Sequence, residues 1–324
     1  MRSENGEVGR EPVECWVLRS TGTISADTML NLGVTWGVTW GMSFGTNLGL
    51  ETLGFVFMSP GAVAFEIGPL VVRWYGLLIA GAVLLGVNLS SRLAVRRGVD
   101  PDAVADLAFA LVLGAIPGAR IYYVLFQWKD YVGHPEKMIA IWEGGIAIHG
   151  AILGGMLAAW GFARWKKLSF WVLADIVAPA LILGQAIGRW GNFFNSEAYG
   201  SPTDLPWKLF IPPDRRFPGF ESIAYYHPTF LYESVWNVMV FGLVLGLFLR
   251  LGNRVRPGFI FSVYAVGYSL GRLWIEGLRS DSLMAGGLKM AQVVSLVGIG
   301  LGLVGLFMFF KMEKPSKTNG LRGK

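Results

Sequence analysis

The sequence predicts an all-α polytopic membrane protein with seven transmembrane helices, the N-terminus outside and the C-terminus cytoplasmic. Three observations carry this expectation. Of the 324 residues, 53% are hydrophobic and only 15% charged, with a mean hydropathy of +0.49; a soluble domain of this length needs more charge to cover its surface. Seven hydrophobic segments approach the roughly 20 residues that span a bilayer as a helix, and as helices they satisfy their own backbone groups, as lipid demands. Basic residues recur after every second segment.

Along the chain, residues 1–57 differ from the rest. They open polar, without a basic-then-apolar signal peptide. A Gly/Trp/Thr-rich stretch with a local duplication follows, whose Gly and β-branched content makes it a poor helix. No fold is predicted for this extension, and Met58 reads as a natural translation start. The hydrophobic segments then run over 68–89, 103–126, 144–163, 169–188, 228–249, 257–277 and 290–310, and together define one domain over 58–311. A basic cytoplasmic tail, 312–324, closes the chain.

Loop charge sets the orientation. Arg92, Arg96 and Arg97 follow segment one; Arg164, Lys166 and Lys167 follow segment three; Arg250, Arg254 and Arg256 follow segment five; Lys311, Lys314, Lys317, Arg322 and Lys324 follow segment seven. With seven spans all four groups share one side, which the positive-inside rule makes cytoplasmic. The net charge of +6 is spread among hydrophobic segments, which argues against a nucleic-acid partner. The single cysteine, Cys15, excludes a disulfide framework within the chain and an all-Cys metal site, and three His leave little for a metal cluster.

Charged side chains within spans are costly and mark candidate sites. In the predicted orientation Arg73, Tyr75, Arg120, His149, Arg189, Asn192, His227, Glu233, Arg272, Glu276 and Arg279 all fall toward the outer ends; Asp106 and Asp175 fall toward the inner ends. Polar helix ends are common and Arg can snorkel, but the spacing argues for more. Tyr268, Arg272, Glu276 and Arg279 stand at i, i+4, i+8 and i+11. At about 100° per residue they share roughly 80° of arc, a stripe that must face protein or a water-filled cavity. The run Gly188-Arg189-Trp190-Gly191-Asn192-Phe193-Phe194-Asn195-Ser196-Glu197 closes segment four. It joins amide groups to a guanidinium fork suited to phosphate, more than a capping turn needs. On these residues alone a lipid enzyme and a transporter for an anionic solute both stand; the transporter reading lacks an internal repeat and charges at the midplane.

The run from Gly188 through Glu197 to Gly200 resembles the signature of prolipoprotein diacylglyceryl transferases. Val72-Arg73-Trp74-Tyr75-Gly76, Trp142-Glu143-Gly144-Gly145 with Ile148-His149-Gly150, His227-Pro228-Thr229 with Leu231-Tyr232-Glu233, and the run from Tyr268 to Asp281 resemble further family motifs in the family's order. Ala151 stands where many members carry another Gly. The resemblance implies transfer of the diacylglyceryl group of phosphatidylglycerol to the lipobox cysteine of a prolipoprotein signal peptide. A thioether forms and glycerol 1-phosphate leaves. It implies a multi-pass protein of the bacterial plasma membrane whose site faces the outer leaflet, with no cofactor and no metal. Arg189 and Arg272 are then the expected phosphate-contacting residues, Glu276 orients Arg272, and His149 is the candidate general base, against a rival role in hydrogen-bonding lipid or protein. Tyr75 and Tyr268 are expected to hold the headgroup or orient His149, and Asn192 and Glu197 to shape the outer loop; Arg279 joins the phosphatidylglycerol-binding set. The Pro-rich segment 196–226 is expected either to lie on the membrane surface and admit the signal peptide, or to be an ordinary connection.

Overall fold

The computed structural model describes residues 34–36, 55–251, 254–280, 282 and 284–310. Most of the 1–57 extension and the whole 312–324 tail lie outside the described residues. Among the described residues seven long helices form the body: α1 (Trp74–Arg96), α2 (Asp102–Phe126), α3 (Ile148–Trp165), α4 (Phe170–Asn195), α5 (Thr229–Leu251), α6 (Phe259–Leu278) and α7 (Met290–Phe309). Five of them, α1, α2, α4, α5 and α7, are long and apolar enough to cross a membrane. α3 carries His149 and Arg164, and α6 carries Arg272 and Glu276; both fall short of the same measure of length and apolarity.

The helices alternate in direction, and contacts at both ends record it. At one end Trp74, opening α1, stacks on Phe194, closing α4, with ring centroids 4.8 Å apart. There too Gln292 of α7 donates to Leu273 O of α6 at 3.3 Å. At the other end Asp175, fully buried near the start of α4, accepts hydrogen bonds from Arg97 Nη2 (3.0 Å), Gly258 N–H (3.0 Å) and Phe261 N–H (2.9 Å). A carboxylate of α4 thus sits on the N-terminus of α6, where unpaired N–H groups and the helix dipole favour an anion. Asp106 of α2 meets Lys166, just past α3, at 2.8 Å. Both acidic residues expected at the inner ends therefore pair with cations there.

α4 is the central helix. Its most apolar stretch is 44% buried, against 11–28% in the other four apolar helices. The side chains it buries include Leu173, Ile176, Ile182, Ala186 and Phe193, a stripe at helical spacing. The outer helices instead expose large apolar groups such as Leu84, Phe109, Leu157, Leu301 and Phe307, as a lipid-facing surface does.

Three local readings change. The first helix starts at Trp74 rather than 68, because Val63–Ile67 (β3) and Leu70–Arg73 (β4) form an antiparallel hairpin turning at Gly68, whose φ is +57°. β3 also pairs with Val34–Trp36 (β1), a short strand within the extension for which no fold was expected. The signature run closes α4, but the helix runs past 188 through most of it, to Asn195, and stops at Ser196, in the left-handed conformation. The segment 196–226 is a folded cap rather than a plain connection. Leu209–Phe210 (β5) pairs with Phe57–Met58 (β2) in parallel and with Tyr225–Tyr226 (β6) antiparallel. Tyr199 and Tyr226 are fully buried with Phe193, Phe194 and Phe230 beneath them, and their hydroxyls donate to Arg215 O at 2.7 Å and Phe220 O at 3.1 Å. The last strands, Met284–Ala285 (β7) and Leu288–Lys289 (β8), form a hairpin leading into α7.

α2 and α3 meet along a glycine seam. A Cβ on Gly118 would lie 2.6 Å from Gly150 O and 2.8 Å from Gly154 Cα, and one on Gly114 would lie 2.6 Å from Gly154 O. Those neighbours are backbone and cannot yield, as in small-residue interfaces between membrane helices. Gly118→Val should lower the stability of the detergent-solubilised protein by about 1–3 kcal/mol or more, read as a depressed Tm. Gly161→Ala, where a Cβ meets nothing within 4 Å, should leave Tm within error of the parent; equal melting of the two variants would refute the seam.

Candidate active site

Three helices deliver the site. α5 is locked to α4 by Trp190 Nε1–H donating to Ser234 Oγ (3.2 Å) and Ser234 Oγ–H to Ala186 O (3.0 Å). It is locked to α6 by Trp236 Nε1–H donating to Gly267 O (2.8 Å), with the Trp236 ring lying over Gly271, where any side chain would collide. These contacts bracket Glu233 and bring it between Arg189 of α4 and Arg272 of α6.

Glu233 is the hub. Its Oε2 pairs with Arg189 Nε at 2.8 Å, and its Oε1 with Arg272 Nη1 at 2.8 Å and Arg279 Nη1 at 3.9 Å. Arg272 Nη2 also pairs with Glu276 Oε2 at 2.7 Å, one turn along α6, and Arg279 Nε approaches the same oxygen at 3.9 Å. Ser282 Oγ–H donates to Glu276 Oε1 at 2.5 Å. Both carboxylates are buried, with side-chain exposures of 5% and 4%, while Arg189, Arg272 and Arg279 retain 20%, 17% and 12%. The carboxylates therefore form the floor and the guanidiniums the rim. Removing one member would strand buried charge, at a cost of order 3–5 kcal/mol.

The end of α6 is held from α7. Lys289 Nζ donates to Glu276 O at 2.8 Å, to Gly277 O at 3.2 Å and to Arg279 O, so a cation satisfies the terminal carbonyls of α6. On α4, Arg189 Nη1 donates weakly to Asn192 Oδ1 at 3.4 Å. Asn192 Nδ2 and Asn195 Nδ2 donate to Glu197 Oε1 at 3.0 and 3.2 Å, and Glu197 N–H to Asn192 O at 3.0 Å. Tyr75 packs its ring on Gly191, where a Cβ would collide with it. Gly200 sits between the cap and the site: a Cβ there would lie 2.7 Å from His227 Cβ and 3.1 Å from Leu278 O.

The structure thus unites Arg189, Arg272, Glu276, Arg279, Asn192 and Glu197 at one end of the bundle, with Tyr75 beside them. Tyr268 is half-buried one turn below Arg272 and stacks on Tyr264, at 6.1 Å between centroids. His149 is set apart. It is exposed in the first turn of α3 and stacks near Tyr122 at 5.9 Å; among the described residues no contact joins it to the guanidiniums, Tyr75 or Tyr268. Arg120, among the polar residues expected at the outer ends, serves the α2–α3 connection. Buried, it donates to Met138 O (3.0 Å), Gly144 O (2.5 Å), Gly145 O (2.7 Å) and Lys137 O (2.5 Å). Glu233 stands in the sequence among the polar groups expected at the outer ends and in a family motif, but no role was expected of it.

The fold and site define a multi-pass membrane protein with a cluster of guanidiniums that can receive an anion. The family profile described as "Prolipoprotein diacylglyceryl transferase" matches residues 62–308. A protein of Nostoc sp. is 64% identical over 266 residues, covering 81% of this chain and 94% of that protein. One of Gloeobacter violaceus is 60% identical over 252 residues, covering 78% and 93%, and one of Synechococcus sp. is 50% identical over 279 residues, covering 82% and 99%. All three are named phosphatidylglycerol–prolipoprotein diacylglyceryl transferase. The chain belongs to the prolipoprotein diacylglyceryl transferase family and is an enzyme, a transferase.

His227, half-buried under the cap, has its imidazole pKa lowered by burial. The folded state therefore favours the neutral ring, and charging it opposes folding as pH falls below the ordinary value near 6.5. Between about pH 7.5 and 5 the parent should lose more Tm than His227→Gln does; parallel melting curves would show that the ring does not contribute.

Proposed function

We propose that this chain transfers the diacylglyceryl group of phosphatidylglycerol to the lipobox cysteine of a prolipoprotein. The thiol sulfur bonds to the glyceryl carbon, the bond from that carbon to the phosphate oxygen breaks, glycerol 1-phosphate leaves with the electron pair, and the thiol proton passes to a base. The observation that carries this reading is the Arg189–Glu233–Arg272 bridge, which holds two guanidiniums side by side at the rim of a dry floor. Phosphate departs from carbon readily only where donors already face its developing charge, and guanidinium forks match its oxygens.

In this reading all seven long helices cross the bilayer. The ends carrying Arg189, Glu233 and Arg272 open to the outer leaflet, where an exported lipobox would emerge; the alternation of the helices and the basic groups after α1, α3 and α5 support this. An apolar crevice of about 400 Å³ between α1, α2 and α4, lined by Val83, Val87, Leu107, Leu111 and Leu181, reaches Gln185 and Gly188, one turn from Arg189. It suits an acyl chain whose headgroup meets the cluster. His149 is proposed as the thiol's base, with the substrate spanning the distance from it to the guanidiniums; Tyr75, Tyr268, Asn192 and Glu197 frame the headgroup.

Purified protein incubated with phosphatidylglycerol and a lipobox peptide should add the diacylglyceryl mass to the cysteine, read by mass spectrometry; an unmodified peptide would reject the reading. Arg189→Lys should reduce turnover about 100-fold or more, since Lys lacks the fork. His149→Gln should bind phosphatidylglycerol normally but turn over about 100- to 10,000-fold more slowly, and an unchanged rate would remove His149 as the base.

A further inference from the structure

We propose that Gln185 is a positioning residue: through its hydrogen bond to Tyr264 it seats Tyr268 one turn below Arg272, and so sets the rate of transfer without touching the phosphate. The proposal rests on the transferase reading above.

Three side chains on two helices form a chain of contacts. Gln185 lies one turn below Arg189 on α4, and its Nε2–H donates to the Tyr264 hydroxyl of α6 at 3.0 Å. Tyr264 stacks on Tyr268, one turn nearer the site, with ring centroids 6.1 Å apart and planes 21° from parallel. Among the described residues no hydrogen bond holds the Tyr268 hydroxyl. The Tyr268 ring is placed by packing on the apolar core and on Tyr264. Apolar packing is non-directional, so the bond from Gln185 to Tyr264 is the directional contact in the chain. It ties α4 to α6 between the levels of Asp175 and Glu233.

The polar pair is costly where it stands. Gln185 Oε1 is buried without a hydrogen-bond partner. Turning the amide over would let Tyr264 donate to Oε1, but would strand Nε2 in the same place. Either way one amide atom goes unpaired in the bundle, where apolar residues of the same shape would leave none. Stability therefore favours Leu at 185 with Phe at 264, and a pair kept against stability is a functional candidate. Its place agrees. Gln185 also lines the crevice between α1, α2 and α4 in which an acyl chain is proposed above. A chain lying there keeps water from the amide, and a hydrogen bond is stronger in a low dielectric. One side chain thus meets the lipid tail on one side and the seating of Tyr268 on the other.

The test is the cycle of Gln185→Leu, Tyr264→Phe and their double variant. Each single variant leaves a buried polar group unpaired and should melt below the parent; the double variant removes the whole pair and should melt at or above it. Transfer from phosphatidylglycerol to a lipobox peptide should nonetheless be about tenfold slower in all three, in kcat rather than KM, since the guanidiniums are untouched. A pair that only held the fold would recover turnover together with Tm in the double variant. In a Tyr268→Phe background, Gln185→Leu should slow transfer by less than about twofold, because Gln185 acts through Tyr268. Turnover of Gln185→Leu within about threefold of the parent, recovered turnover in the double variant, or an undiminished loss on top of Tyr268→Phe would each overturn the proposal. Should Gln185→Leu not fold, Tyr264→Phe and the double variant decide on the same terms. Seating is also read without activity: 3-fluorotyrosine placed at 268 should give one fluorine resonance in the parent and a broadened or split one in the double variant, and identical spectra would overturn the proposal. If the parent transfers nothing, the transferase reading fails by itself, and this spectrum alone decides the role of Gln185.

Discussion

The bundle depends on one constraint: a carboxylate may be buried in it only where enough donors converge on its oxygens. Asp175 meets that condition with a guanidinium and two backbone N–H groups at the start of α6. Glu233 meets it with the guanidiniums of Arg189 and Arg272 at the opposite ends of α4 and α6. Isolated buried charge is too expensive to persist, so each carboxylate fixes the heights of the elements that donate to it. α4 and α6 are clamped at both ends, and α5 is held between them by Trp190, Ser234 and Trp236. The functional end inherits its geometry from this clamping.

Function uses the same economy of donors. The carboxylates lie dry beneath guanidiniums that keep part of their surface open. Such a rim needs little reorganisation when an anion arrives, which is how preorganised donors stabilise developing charge. The hairpin before α7 contributes without entering the site: Lys289 holds the last carbonyls of α6, and with them the backbone of Glu276 and Arg279. The cap closes over Gly200 and packs its own aromatic core on Phe193 and Phe230.

Much of this was legible in the sequence, for identifiable reasons. Hydrophobic length gave the long helices, and the stripe of Arg272, Glu276 and Arg279 gave the face of α6 turned to protein, because helical periodicity is a local property. Glu233 was singled out by its place but given no role, because that role exists only where α4 and α6 meet it. Strand β4 was absorbed into the first hydrophobic segment, since a short apolar strand and a helix end look alike in composition. The signature run was read as closing the fourth segment near residue 188, because hydrophobicity falls there. In the fold Gly191 makes room for Tyr75 while α4 continues. The cap could not be inferred, because its sheet joins residue 57 to residues beyond 200.

Arg120 bears on how the chain is made. Its guanidinium is buried, and its partners are carbonyls of residues 137, 138, 144 and 145, which are synthesised after it. Until the connection folds back those carbonyls are not in place, and an unpaired Arg within a membrane helix is costly. The connection and α3 must follow and fold back before that cost is recovered. α2 and α3 therefore depend on one another: the glycine seam brings the hairpin together, and the arginine leaves its first half poorly suited to the membrane alone.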